Sequence, residues 1–120
     1  DQRVLPKKNT IAFDKTGFVV LPSGTYLLTL NEIVNLPLNI CALGRPRSSL
    51  LRCGVTINTA LWDAGYQGRS QVLLVIYNKK GFSLAKNSRV LQLVFVYLFQ
   101  PSRTGYHGAY QYENMPFPHI

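Results

Sequence analysis

A chain of 120 residues with 47% apolar content reads as a single domain, residues 1–120, long enough to bury a core of its own. No apolar run is long enough to span a bilayer, Val90–Phe99 being short and interrupted by Gln92, and the start carries no leader pattern, so the sequence reads as soluble and cytoplasmic with no membrane partner. Thirteen Lys and Arg against five Asp and Glu give a net charge of +8, which suits a polyanionic ligand such as a nucleotide or nucleic acid and equally serves solubility alone.

Residues 1–10 are polar and basic, contain Pro6 and show no periodicity, so an irregular lead-in is expected there. Ile11–Phe13 and Phe18–Leu21 are short apolar runs, followed by the turn signal Pro22-Ser23-Gly24. Thr25–Leu30 has strand composition. Ile33–Leu43 is broken at Pro37 and divides into a bend and a strand over Leu38–Leu43. Ser48–Arg52 can make about one helical turn, with serine as its cap and Gly54 suited to ending it. Strands are expected over Val55–Trp62 and Gln71–Tyr77, the second apolar enough for burial on both faces, with a turn at Asp63–Gly68 between them. Asn78–Gly81 reads as a hairpin turn. Phe82–Ala85 and Val90–Phe99 flank a turn at Lys86–Ser88, and residues 101–120 form an irregular tail rich in Gly, Tyr and Pro.

Strands recurring about every ten residues, with no long amphipathic helix, predict an all-β sandwich or barrel. Cys41 and Cys53 lack metal-ligand spacing and read as cytosolic thiols in a core, while His107 and His119 lie near the tail. A zinc site is therefore not expected, nor the chemistry of the zinc-dependent nucleobase deaminases.

Three polar signatures lie between the apolar runs of Leu43–Phe95: Arg47-Ser48-Ser49-Leu50-Leu51-Arg52, then Trp62-Asp63-Ala64-Gly65-Tyr66-Gln67-Gly68, then Asn87-Ser88-Arg89-Val90-Leu91-Gln92-Leu93-Val94-Phe95. Arg47, Ser48, Ser49 and the first amides of a helical turn offer cations and donors to a phosphate; taken singly they are a solvated charge and a helix cap. Asp63, on a turn after a strand, can orient and deprotonate a water, or can bond its own backbone as turn aspartates commonly do. Gln92 amid apolar neighbours is either a satisfied buried amide or a contact to the phosphate loop.

In this order the signatures resemble the second, third and fourth motifs of the trimeric dUTP diphosphatase (dUTPase) and dCTP deaminase superfamily, which run RSSLAR, (I/W)DxxYxG and GxRIxQLVF. Tyr106-His107-Gly108-Ala109-Tyr110-Gln111 resembles the YxGxYQ element of the deaminase-like branch. The resemblance implies a distorted jelly-roll (β-clip) fold, a homotrimer with sites at subunit interfaces, Mg2+ as cofactor and dUTP as substrate. It implies Asp63 as the catalytic residue, acting through water on the α-phosphorus, and Arg47, Ser48, Ser49, Arg52, Arg89 and Gln92 as phosphate-binding residues. Thr59, Ala60, Tyr66, Tyr110 and Gln111 would surround the nucleoside, with Tyr66 flat against the deoxyribose. No protein metal ligands are assigned, and nucleic acid is not the expected partner.

The departures from the family pattern carry information. Thr59 stands one residue closer to Asp63 than in the pattern. The glutamate that the deaminases carry on the following strand is replaced by Leu73 or Val75, depending on the count, and an aliphatic side chain cannot transfer a proton. Ile11-Ala12-Phe13-Asp14 departs from the AGYD of the first motif, whose aspartate helps organise magnesium, and the glycine-rich fifth motif is missing. The expected activity is that of a dUTP diphosphatase giving dUMP and pyrophosphate. The alternatives are a dCTP deaminase, alone or bifunctional, and a non-catalytic nucleotide- or nucleic-acid-binding module on the same fold.

Overall fold

The computed structural model describes residues 3–115; positions 1, 2 and 116–120, which include His119 and the outer ends of the expected lead-in and tail, lie outside the described residues. Among the described residues nine strands and one short helix follow in the order β1 (Phe18–Leu21), β2 (Gly24–Thr29), β3 (Val34–Asn35), β4 (Ile40–Pro46), α1 (Ser48–Arg52), β5 (Val55–Asn58), β6 (Gln67–Gly68), β7 (Gln71–Ile76), β8 (Phe82–Ala85) and β9 (Leu91–Tyr97). Every ladder is antiparallel: β1 with β8, β2 and β5 on the two sides of β7, β3 with β6, and β4 with β9. Leu21 stands opposite Phe82, Gly24 opposite Ile76 and Val34 opposite Gly68, so these three pairings keep nearly one register, as a long ribbon folded back near α1 would. A jelly roll is such a ribbon wound on itself. β4 leaves that register to pair with β9, Arg45 opposite Gln92. The all-β expectation holds.

Alternation along the strands builds the core. β7 sends Val72, Leu74 and Ile76 inward, where Leu74 and Ile76 are fully buried together with Val55 of β5. Full burial of one such side chain contributes about 1.5–3 kcal/mol. Leu36, Ala42, Trp62, Leu84 and Val90 close the same cluster from the other strands and loops. Burial of β7 on both faces is not complete: Leu73 is 39% exposed, opposite a still more exposed Leu27.

Other sequence expectations need correction. The turn at Asn78–Gly81 forms, with the Gly81 amide donating to the Asn78 carbonyl, but it does not close a hairpin. Both edges of β7 are already taken by β2 and β5, so β8 crosses to β1 instead. The strand expected over Val55–Trp62 ends at Asn58, because Trp62 turns away to exchange backbone bonds of 2.9 and 3.0 Å with Ala42. The strand expected from Leu38 starts at Ile40 and continues to Pro46. Serine does not cap α1: Arg47 occupies the cap position in an extended conformation, without a side-chain cap bond. Gly54 does end the helix, at φ +72°, its amide donating to Leu51. The thiols are not core groups, since Cys53 is exposed and Cys41 half-buried, both unpaired. Among the described residues no helix is long and apolar enough to cross a membrane.

Candidate active site

The β4–β9 ladder carries the start of α1 up against the turn that precedes β9. Pro46 lies opposite Leu91, and the Arg47 amide donates to the Val90 carbonyl at 3.2 Å. The result is a cleft of about 610 Å3 whose rim holds Arg47, Ser48, Lys86, Arg89 and Gln92 over an apolar floor that includes Phe13 and Leu84. Among the described residues Arg47, Ser48 and Arg89 make no side-chain hydrogen bond or ion pair, so their donors are available to a ligand. Gln92 is exposed, its amide nitrogen 3.5 Å from the Pro46 carbonyl, so it is not a buried amide. Four of the six expected phosphate-binding residues thus meet here. Ser49 is exposed outside the lining, and Arg52 folds back to donate to the Ser48 carbonyl at 3.1 Å.

Asp63 lies elsewhere. It opens the turn whose Tyr66 amide donates back to the Asp63 carbonyl at 3.1 Å, and this turn is held to the loop before β4 by Leu36 N–H to Tyr66 and Gly65 N–H to Pro37. Its exposed carboxylate has no partner among the described residues, so it is not spent on its own turn. It borders a hollow of about 390 Å3 with Cys41, Ser102, Tyr106 and His107. Thr59 packs over Gly44, where an added Cβ would come within 2.9 Å of the threonine methyl, and Ala60 is exposed.

Tyr66 is 5% exposed, covered by the tail of its own chain. Its ring meets Tyr106 edge-on, centroids 5.6 Å apart. A chain of hydrogen bonds runs beneath it: the Trp62 indole N–H donates to Ser70 Oγ at 2.6 Å, Ser70 and Tyr66 share a bond of 2.8 Å, and the Tyr66 hydroxyl donates to Glu113 Oε1 at 2.9 Å. Burial pushes the Tyr66 phenol well above its ordinary range, opposed in part by the bond to Ser70 and reinforced by the carboxylate of Glu113. Burial likewise raises the Glu113 carboxyl above its usual value of 4.5, while the Tyr66 hydrogen bond and the charge of Lys8 pull it down. Gln111 fastens the tail to the same turn: its Oε1 accepts from the Gln67 amide at 2.8 Å, and its Nε2 donates to the Gly65 and Tyr106 carbonyls. Tyr110 stays 53% exposed. Ser70 and Glu113 are site residues that sequence reasoning missed; both lie outside the recognisable motifs, and their partners are 4 and 47 positions away from them in sequence.

The two groups of residues are distinct on one chain. Trp62 sits at Ala42, and Arg47, in extended conformation just after the end of β4, lies five residues beyond, about 16 Å away at strand rise. No residue lines both hollows. Asp14, the nearest counterpart of a first-motif aspartate, spends its carboxylate on its own turn, accepting from the Thr16 amide, the Thr16 hydroxyl and the Phe18 amide. These bonds, that to the Thr16 side chain foremost, hold its pKa below the usual value. Among the described residues no three His, Cys, Asp or Glu side chains converge to hold a metal ion.

Residues 2–98 match the profile of the dCTP deaminase-like family. The chain belongs to that family. Its relatives include the probable deoxyuridine 5'-triphosphate nucleotidohydrolase of Methanosarcina mazei, 50% identical over 113 residues that cover 94% of this chain and 66% of that protein. The protein of the same name from Archaeoglobus fulgidus is 46% identical over 114 residues, 95% of this chain and 66% of that one. The deoxyuridine 5'-triphosphate nucleotidohydrolase of Methanocaldococcus jannaschii is 35% identical over 83 residues, 69% of this chain and 52% of that protein. The chain therefore spans 66% of the length of the first two and 52% of the third. Within this dCTP deaminase-like chain, β7 presents Leu73 opposite Leu27 and Asn58, and Val75 opposite Thr25 and Thr56, with no acid on the strand.

Proposed function

We propose that this chain forms the core of a dUTP diphosphatase, converting dUTP and water to dUMP and pyrophosphate at sites completed by a second copy of the chain. The observation that carries the reading is the division of the candidate residues into two complementary halves. One is a cationic cleft with Arg47, Ser48 and Arg89, the other an exposed, unpartnered carboxylate at Asp63. A triphosphate needs the first and its attacking water the second. The names of the relatives supply the base, and the lack of an acid on β7 argues against deamination.

In this reading Asp63 accepts a proton from the water as its oxygen bonds to the α-phosphorus. The bond from that phosphorus to the β-bridging oxygen breaks, and its electron pair leaves with pyrophosphate. Arg47, Arg89 and the Ser48 hydroxyl take up the charge that develops on the phosphate oxygens. Magnesium is part of the proposal as a companion of the phosphate oxygens, where it would neutralise charge. Tyr106 and Glu113 cover Tyr66, so the tail lifts for a nucleoside to enter and seats again once it is bound.

A homotrimer is the proposed assembly. Leu43 on β4 and Val94, Phe95, Val96 and Tyr97 on β9 are 40–78% exposed, apolar groups on the β4–β9 ladder that association would bury. A cytoplasmic location belongs to the same proposal, in keeping with two unpaired cysteines. The test is pyrophosphate release in the presence of Mg2+ from dUTP, dCTP, dTTP and UTP, by the native chain and by Asp63→Asn. Release from dUTP alone, reduced at least about a hundredfold by the substitution, is expected. Release from no nucleotide, or release insensitive to Asp63→Asn, would overturn the proposal.

A further inference from the structure

Arg69 belongs to no motif and lies between β6 and β7, half-buried, with no acidic partner among the described residues. Its guanidinium bridges two backbone carbonyls from distant parts of the chain: Nε donates to Asn31 at 2.8 Å and Nη1 to Asn114 at 2.9 Å. Its own backbone is gripped by the tail, the amide donating to the Glu113 carbonyl at 2.9 Å and the carbonyl accepting from Asn114 Nδ2 at 2.9 Å. On the far side, the Asn31 amide group donates from Nδ2 to Asn87 Oδ1 at 2.5 Å. Asn87 holds the left-handed conformation, φ +64°, in the turn that presents Arg89, and Ser88 locks that turn through two bonds to the Ala85 carbonyl. The neighbouring Leu30 amide donates to Ser70, which aligns the loop that carries Asn31.

An unbroken path therefore leads from the tail over Tyr66, through Arg69 and Asn31, to the turn at the rim of the cationic cleft. Only a planar fork with several fixed donors can hold two carbonyls in such a geometry, and the permanent charge of arginine strengthens both bonds. We infer that Arg69 is a positioning residue that couples the seating of the C-terminal tail to the phosphate-side turn Lys86–Arg89. This inference rests on the phosphate-binding role proposed for that turn. It adds that occupancy of the cleft tightens the tail and that tail seating, in return, orders the cleft.

The experiment is residue-resolved hydrogen exchange on the whole chain, with and without the non-hydrolysable α,β-imido analogue of dUTP, for the native protein, Arg69→Lys and Asn87→Gly. Glycine accepts the positive φ at position 87, so the second variant keeps the turn and removes only the bond to Asn31. In the ligand-free chain the Tyr112 amide, bonded to Gln67, should exchange roughly fivefold faster in both variants, although among the described residues the side chain of Asn87 bonds Asn31 and not the tail. With the analogue, exchange should slow at residues 86–89 in all three proteins and at Tyr112 in the native protein alone. Native exchange at Tyr112 in ligand-free Asn87→Gly, or undiminished slowing at Tyr112 in both variants, would overturn the coupling. If the analogue slows no amide in the native protein, the phosphate assignment fails, and the ligand-free comparison still decides the bridge.

Discussion

Ser70→Ala probes the hydrogen-bonded chain beneath Tyr66. Ser70 is buried, 5% exposed, and its Oγ is the acceptor for the Trp62 indole N–H at 2.6 Å. Removing the hydroxyl leaves that N–H buried without a partner, whereas the Tyr66 hydroxyl keeps its bond to Glu113. An orphaned buried donor costs about 1–3 kcal/mol, and the vacated volume is too small to add much. With a urea dependence of about 1.5 kcal/mol per molar for a domain of this size, a loss of about 2 kcal/mol moves the unfolding midpoint down by roughly 1.3 M. The assay is urea unfolding followed by the fluorescence of Trp62, at fixed protein concentration so that any association is held constant. Ser83→Ala, at an exposed position of β8, serves as the control and should stay within about 0.5 kcal/mol of native. A shift for Ser70→Ala as small as that of the control would show that the indole finds another acceptor, and the network would lose its structural role.

Gly65→Ala should unseat the tail, since residue 65 has φ +82° and an added Cβ would lie 2.8 Å from Gly105 Cα, backbone that cannot step aside without moving the tail. Faster tryptic cleavage after Arg103 would report it; native cleavage rates would contradict the packing argument. A pH effect follows from Glu113, which faces Tyr66 and feels Lys8, with Arg69 bonded to its backbone. Because its carboxyl is raised when the tail is seated, the seated state holds a proton that the released tail gives up. Seating is thus fully favoured below the ordinary carboxylate value and weakens as pH climbs through the raised one. The Trp62 indole resonance, followed from about pH 4 to about pH 7, should shift across that window in the native chain and stay flat in Glu113→Gln. Arg89→Ala, which removes a cation from the cleft rim, should lower kcat/KM for dUTP about 10- to 100-fold without moving the urea midpoint; equal kcat/KM would remove Arg89 from the phosphate site.

The strand content was legible because β-branched and aromatic runs alternate with Gly, Pro and Asn turns, a local signal that needs no tertiary information. Pairing is not local. Asn78–Gly81 has the composition of a hairpin turn, but composition cannot reveal that both edges of β7 are occupied. Likewise Ser48 has the right chemistry for a cap, and only the extended backbone at Arg47 shows that the position is already filled. The meeting of Arg47 with Arg89 was legible through the order of the motifs, whereas Arg52 carries the same charge and turns back on its own helix. Arg69 and Glu113 left no trace, because their roles depend on a tail that returns to the Asp63–Gly68 turn from more than forty residues away.

In the proposed assembly one chain supplies halves of two different sites. Mixing tests it most directly: Asp63→Asn chains, nearly inactive alone, and Arg89→Ala chains, reduced about 10- to 100-fold, are unfolded together in equal amounts, refolded and assayed for pyrophosphate release from dUTP. With sites built across copies, random assortment pairs an intact Asp63 with an intact Arg89 at about one quarter of the sites, and about one quarter of native activity should return. Activity that remains at the level of the separate variants would contradict the account and place the whole site within a single chain.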